Sequence, residues 1–283
     1  MSNPRVSSQR SSLRVLAYAA ACTVSLLCLY PYWWMLVSAF RSTEAILSAP
    51  LRPWPEAPSL QVLSEVASIG GTPLWRYVLN SVVITSLATA IGTAVTALGA
   101  YALVRRPDVL LLRLLRLGFL TTIMYPYMLL VIPVYIVMYK LGLLGTYAGI
   151  VLFLALSPIQ FFLFEQFFRT VPRSVIEAAT IDGASEFDVL VHVVLPMARP
   201  VVATAAIVSF LLGWAQWLPV LVVSRSPDTY TLPVALLNLN GELGVNFQGI
   251  MALAVITTLP VTLFFLLAQR RVMSGMTAGA VKG

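Results

Sequence analysis

Residues 77–104 read YVLNSVVITSLATAIGTAVTALGAYALV, an apolar stretch without one charged side chain. It is longer than the roughly 20 residues that an α-helix needs to cross a bilayer. Within it Ala88, Gly92, Thr96 and Ala100 recur every four residues. Such a ridge of small side chains on one helix face lets a neighbouring helix approach closely where hydrophobicity cannot drive association.

Outward from this stretch, five more runs are long and apolar enough to span: Val15 to Phe40, Leu114 to Tyr139, Thr146 to Phe168, Pro200 to Val222 and Gly249 to Ala268. Composition agrees, with 59% hydrophobic and only 10% charged residues among 283, and a mean hydropathy of +0.88. A soluble domain of this size could not bury so much apolar surface, so lipid must cover it. The net charge of +7 does not indicate nucleic acid, because the basic residues are scattered between apolar runs instead of forming a face. Cys22 and Cys28 lie in one apolar run and read as small hydrophobes, not as a disulfide framework. Although Arg5, Arg10 and Arg14 precede the first run, it is too long for a signal peptide and lacks a small-residue cleavage site before Tyr30-Pro31-Tyr32-Trp33-Trp34. It is expected to stay as an anchor.

Lysine and arginine orient the spans. With the N-terminus inside, the inner segments hold Arg5, Arg10, Arg14, Arg105, Arg106, Arg113, Arg116, Arg169, Arg173, Arg199, Arg270, Arg271 and Lys282, thirteen basic residues. The outer segments hold only Arg41, Arg52, Arg76, Lys140 and Arg225, which is a positive-inside bias. Both termini are then cytoplasmic. The two long external segments are Arg41 to Arg76, rich in proline, and Val223 to Gln248. Pro126 and Pro133 interrupt the third run, and Pro158, Pro219 and Pro260 fall in or near later ones. Each removes a backbone donor and predicts a bend.

Between the fourth and fifth runs, Ser174 and Glu177 have the spacing of a capping box, and Gly183 can take the left-handed conformation that ends a helix. Ser185 and Asp188 repeat the start signal, and Pro196 marks an end or kink. The loop therefore predicts two short helices meeting at a glycine. Glu177-Ala178-Ala179, then Gly183 after three residues, and Val193-Val194-Leu195-Pro196 after nine more resemble the EAA loop of binding-protein-dependent ABC importer permeases. Further matches resemble the carbohydrate-uptake branch: Asn80-Ser81, Ala100-Tyr101-Ala102-Leu103 with Arg105, Pro126 and Pro133, Gly142-Leu143 with Thr146, Thr231-Leu232-Pro233-Val234, and the ending Gly275 to Gly283. The chain departs from that branch in the fifth run. There Trp214-Ala215-Gln216-Trp217 stands where relatives often carry Trp-Asn followed by an acid.

This resemblance implies an all-α polytopic membrane protein with six transmembrane helices and a cytoplasmic helical coupling loop. The expected organisation is a cytoplasmic tail over residues 1–14, a transmembrane domain over 15–272, the coupling loop 169–199 within it, and a cytoplasmic tail over 273–283. The resemblance also implies that Glu177, Ala178, Ala179, Asp182, Gly183, Leu195 and Pro196 meet an ATPase. That ATPase is another chain, since Lys140 and Lys282 stand in no phosphate-binding loop. ATP and Mg are expected there, with no cofactor or metal on this chain. The other implied partners are a sister permease, a second ATP-binding subunit, an extracytoplasmic solute-binding protein and membrane lipid. Loop residues Asn238, Asn240, Gly241 and Asn246 are implied to face the binding protein, and the tail from Gly275 to reach between the ATPases. A prokaryotic plasma or inner membrane is the expected location.

Two other classes of membrane protein would leave different marks. An ion-coupled secondary transporter would place ionisable groups at mid-membrane. Only Glu165 comes near, and its spacing from Arg169 is that of a helix-surface ion pair. An intramembrane enzyme finds no support in His192, a lone histidine without a second ligand or a nucleophile motif. Sugar sites use aromatic faces and amides, which makes Tyr125, Trp214, Gln216 and Trp217 the solute-path candidates, although tryptophans near span ends also serve as interfacial anchors. A sugar, a polyol or a glycerol phosphodiester would each fit.

Overall fold

The computed structural model describes residues 4–241 and 244–280, so the first and last three residues of the two expected tails lie outside it. Fifteen helices account for most of the described chain: α1 (Pro4–Ser38), α2 (Thr43–Ser48), α3 (Gln61–Ala67), α4 (Leu74–Arg105), α5 (Leu110–Met124), α6 (Tyr127–Lys140), α7 (Tyr147–Ala155), α8 (Pro158–Thr170), α9 (Arg173–Ile181), α10 (Glu186–Asp188), α11 (Leu195–Met197), α12 (Arg199–Trp214), α13 (Leu218–Val223), α14 (Leu232–Ala235) and α15 (Phe247–Ala280). Two antiparallel ribbons complete it, β1 (Ser68–Ile69) with β2 (Thr72–Pro73) and β3 (Asn240–Gly241) with β4 (Gly244–Val245). Contacts divide the chain into two units, residues 1–67 with 239–256, and residues 68–238 with 257–283.

Three helical stretches are individually long and apolar enough to cross a membrane: Arg14–Ser38, Leu74–Arg105 and Phe247–Gln269. Two bent pairs also qualify, α7 with α8 at 45° and Glu186–Met197 with α12 at 77°. The prolines do more than the expected bending. The third run is two helices, because Tyr125 before Pro126 is held extended (φ −92°, ψ 138°) and α6 starts afresh. The fifth run also divides: Ala215 to Trp217 leave the helix, and Pro219, whose ring would strike the carbonyl four residues back at Ala215, begins α13 instead.

In the first unit, Ala39, Val62, Val66 and Ala252 form a small core. Arg41 is buried there, and its guanidinium donates to the carbonyls of Ala45, Ala49 (2.7 Å) and Arg52 (3.4 Å). A cation at the C-terminus of α2 thereby adds donors to carbonyls of its last turn and of the segment that follows, at the negative end of the helix. Trp33 stacks on Trp54, so the proline-rich segment is ordered against the end of α1.

The second unit is built on α4, which packs against α7, α8 and α12. The small-residue ridge is the contact: Ala88, Gly92, Thr96 and Ala100 are all buried. A Cβ on Gly92 would lie 2.1 Å from the carbonyl oxygen of Ala155, so glycine is what permits this approach. Below it, Tyr101 and Leu103 of α4 meet Phe161, Phe164 and Phe168 of α8 in one apolar cluster. Glu165 pairs with Arg169 at 2.7 Å, as the spacing predicts, but its carboxylate is buried and not on the helix surface as expected, because Arg116 of α5 covers it at 2.9 Å. Two guanidiniums on one buried carboxylate compensate the cost of its desolvation.

Candidate coupling site and solute path

The stretch 173–197 forms the expected pair of helical segments, with one correction at its start. The N-cap of α9 is Pro172, not Ser174, and no side chain caps it. Proline favours the helix start because it has no amide to lose there. Glu177 consequently lies in the second turn, fully outside any capping box, with its carboxylate exposed and unpartnered among the described residues.

Gly183 ends α9 with φ +88°. The amide of Ala184 donates to Ala179 O (3.0 Å) and that of Gly183 to Thr180 O (3.1 Å), the two bonds of a Schellman turn. Apart from its chain neighbours, no described atom lies within 4 Å of where a Gly183 side chain would begin, so that side faces open space. Ile181 and Phe187 flank the turn at 85% and 69% exposure. Ala178 and Asp182 are also exposed, whereas Ala179 packs on the α4–α8 cluster.

The second segment starts with the expected capping box, Ser185 and Asp188 each bonding the other's backbone. These hydrogen bonds from Ser185 hold the Asp188 carboxyl below its ordinary range. Residues Val189–Val194 then widen into a π-helix, with Leu195 donating to Leu190 O. Pro196 supplies the reason, since it has no amide for His192 O and its ring would collide with that carbonyl. So Pro196 does not end the segment; the chain turns at Ala198. His192 is exposed, 3.7 Å from Asp188.

One relationship here had no sequence signal. Arg105, the last residue of α4, holds Glu186 through Nη2 to Oε1 at 2.8 Å and Nε to Oε2 at 3.3 Å. The Arg105 hydrogen bond keeps the Glu186 carboxyl below its usual value. The partners are 81 positions apart, and a single sequence carries no mark of such pairing.

The solute-path candidates do not gather into one site. Tyr125 is exposed at the break between α5 and α6. Trp214 is buried, its indole N–H donating to Thr257 O at 3.2 Å and its ring against Phe210, so its polar atom is already used. Gln216 and Trp217 are partly exposed in the opening between α12 and α13. A separate groove of about 740 Å³ runs along α4 past Ser86, Thr89 and Thr93 to Phe210 and Phe264. The Thr89 hydroxyl is buried there and has no partner among the described residues.

Of the outer-loop candidates, Asn238 is exposed. Asn246 caps α15, accepting from Gly249 N at 2.8 Å, and donates to Glu65 at 3.0 Å. Asn240 and Gly241 form β3; their side-chain surroundings lie outside the described residues.

Residues 92–277 match the profile of the family described as binding-protein-dependent transport system inner membrane component, and the chain belongs to that family. It is thus a permease subunit of an ATP-binding-cassette importer, a non-catalytic multi-pass membrane component whose ATPase is a partner protein. It is 31% identical to the sulfoquinovosyl glycerol transport system permease protein of Agrobacterium fabrum over 90% of this chain and 89% of that one. It is 30% identical to the trehalose/maltose transport system permease protein of Thermococcus litoralis over 95% and 97%. In fold it is similar to a chain of a bacterial ABC transporter that imports the acidic polysaccharide alginate (TM-score 0.76, 21% identity, 93% of this chain and 97% of that one). Nothing in these likenesses supports an ion-coupled carrier.

Proposed function

We propose that this subunit forms half of the transmembrane path for a sugar or sugar glycoside, and that the loop 169–199 docks into an ATPase on the cytoplasmic side. The observation that carries the reading is the pair Ile181 and Phe187, bare apolar side chains on either side of a rigid glycine turn, held away from the chain's own core. Exposed large apolar groups on a capped, polar loop indicate a protein partner. Glu177 and Asp182 add charge at the rim of the same surface.

In this reading six spans cross the membrane: α1, α4, α5 with α6, α7 with α8, α12 with α13, and α15. The domain lies over residues 15–272 with cytoplasmic tails 1–14 and 273–283, which follows the positive-inside bias. A sister permease supplies the other half of the path, two ATP-binding subunits bind ATP and Mg, and a solute-binding protein docks outside near Asn238 to Asn246. A carbohydrate-type solute is supported by the relatives, named for sulfoquinovosyl glycerol and for trehalose and maltose. The opening at Ala215 to Trp217 places irregular backbone beside Gln216 and Trp217, and such backbone inside a membrane requires protein or a water-lined cavity around it.

The test is co-expression with the neighbouring permease, ATPase and binding protein. The expected result is one complex, whose MgATP hydrolysis rises when the binding protein is added and whose liposomes take up the binding protein's sugar ligand. A complex that forms equally well with Ile181→Ser and Phe187→Ser combined would remove the docking surface from the reading.

A further inference from the structure

The two halves of the coupling loop are attached to the body of the protein very differently. Helix α9 reaches the α4–α8 cluster through one fully buried side chain, Ile176, with Ala179 partly buried beside it. The following segment is set into the core: Val189, Leu190 and Val194 are buried in the same cluster as Tyr101 and Leu103 of α4 and Phe164 and Phe168 of α8. Apolar packing of this kind holds a segment in place without fixing its rotation or slide, and the π-helical stretch Val189–Val194 has a looser hydrogen-bond register than an α-helix. Among the described residues, the side-chain hydrogen bonds that tie this segment to α4 are at its start, where the Arg105 fork meets both oxygens of Glu186 beside Tyr101. Two parallel charge-assisted bonds fix distance and orientation together, which a single bond or an apolar contact does not.

Building on the docking reading above, we propose that Arg105 is a positioning residue for coupling, acting through Glu186. It ties the entry of the second loop segment to the end of α4, so that a displacement of α9 by the ATPase moves α4 instead of being lost as slip over the apolar cluster. Helix α4 also carries Ser86, Thr89 and Thr93 of the groove, so the motion reaches the surface that lines it.

The experiment uses the assembled complex in liposomes with MgATP as probe and compares Arg105→Gln, Glu186→Gln, the double variant and Arg105→Lys. Two quantities are read: the amount of ATPase retained on purification, and hydrolysis with binding protein over hydrolysis without it. The expected result is full ATPase retention in all four. The stimulation ratio should fall about fivefold in each Gln variant, the upper range for a partly exposed ion pair. The double variant should fall no further, and Arg105→Lys should lie between. A merely structural contact would lower the yield of complex and leave the ratio unchanged. Unchanged stimulation in both single variants, or losses that add in the double variant, would overturn the proposal. Should Arg105→Gln fail to accumulate, the Glu186→Gln result decides alone, since that change is nearly isosteric. A wild-type complex that retains no ATPase would instead remove the docking reading, and this inference with it.

Discussion

The side-chain amide of Asn80, near the start of α4, donates to the backbone carbonyl of Tyr230 at 2.8 Å across 150 positions of sequence. The same amide donates to Asp228 O at 2.8 Å, its oxygen accepts from the Tyr147 hydroxyl, and neighbouring Ser81 accepts from Leu232 N at 2.8 Å. Asn80 and Ser81 are both buried. Two of the motifs that resemble the family, Asn80-Ser81 and Thr231-Leu232-Pro233-Val234, are thus the two sides of one joint. Replacing Asn80 by Leu would take the side-chain donor from two carbonyls and the acceptor from a hydroxyl at a part-buried joint. The expected cost is about 2 kcal/mol, seen as earlier thermal aggregation of the detergent-solubilised subunit. Equal stability of Asn80→Leu and wild type would contradict this.

At Gly183 the open space around the missing side chain separates strain from collision. A non-glycine residue at φ +88° carries a backbone penalty of roughly 1–2 kcal/mol, smaller for Asn than for a β-branched residue. Gly183→Val is expected to insert normally yet retain little ATPase on purification, and Gly183→Asn to keep most of it. If both lost the ATPase equally, the side chain would be colliding with the partner and the backbone explanation would fail.

Glu177 separates contact from shape more cleanly than its sequence spacing suggests. It takes no part in a cap, so Glu177→Ala should leave subunit stability within about 0.5 kcal/mol of wild type while weakening ATPase retention. His192→Ala, exposed and remote from the turn, should change neither. Thermal denaturation alongside copurification reads both. A large stability loss in Glu177→Ala would reassign it to folding.

Orientation is checked by cysteine labelling after Cys22 and Cys28, the native thiols, are replaced by serine. Ala57→Cys should react with an impermeant maleimide in intact cells, and Ser174→Cys only after the membrane is opened. The reverse pattern would invert the proposed topology.

The membrane character, the positions of the apolar runs and the two-helix loop were all legible in the sequence, because they follow from local quantities: hydropathy over a window, small residues every four positions, and turn chemistry at Gly183 and at Ser185 with Asp188. Local reading erred where two signals competed. Ser174 and Glu177 have capping-box spacing, yet Pro172 caps α9 two residues sooner, since a proline's missing amide suits a helix start. Pro126 and Pro219 read as bends, and whether a proline bends or divides a run depends on how the neighbouring helices hold the freed backbone. Long-range partners were beyond reach altogether. That Glu165 is shared by Arg116 and Arg169, that Asn80 meets Tyr230, and that Arg105 grips Glu186 are outcomes of which helix faces pack together. A charge or an amide in one sequence records what it can bond. Only the folded chain decides which group, tens of residues away, is brought within 3 Å of it.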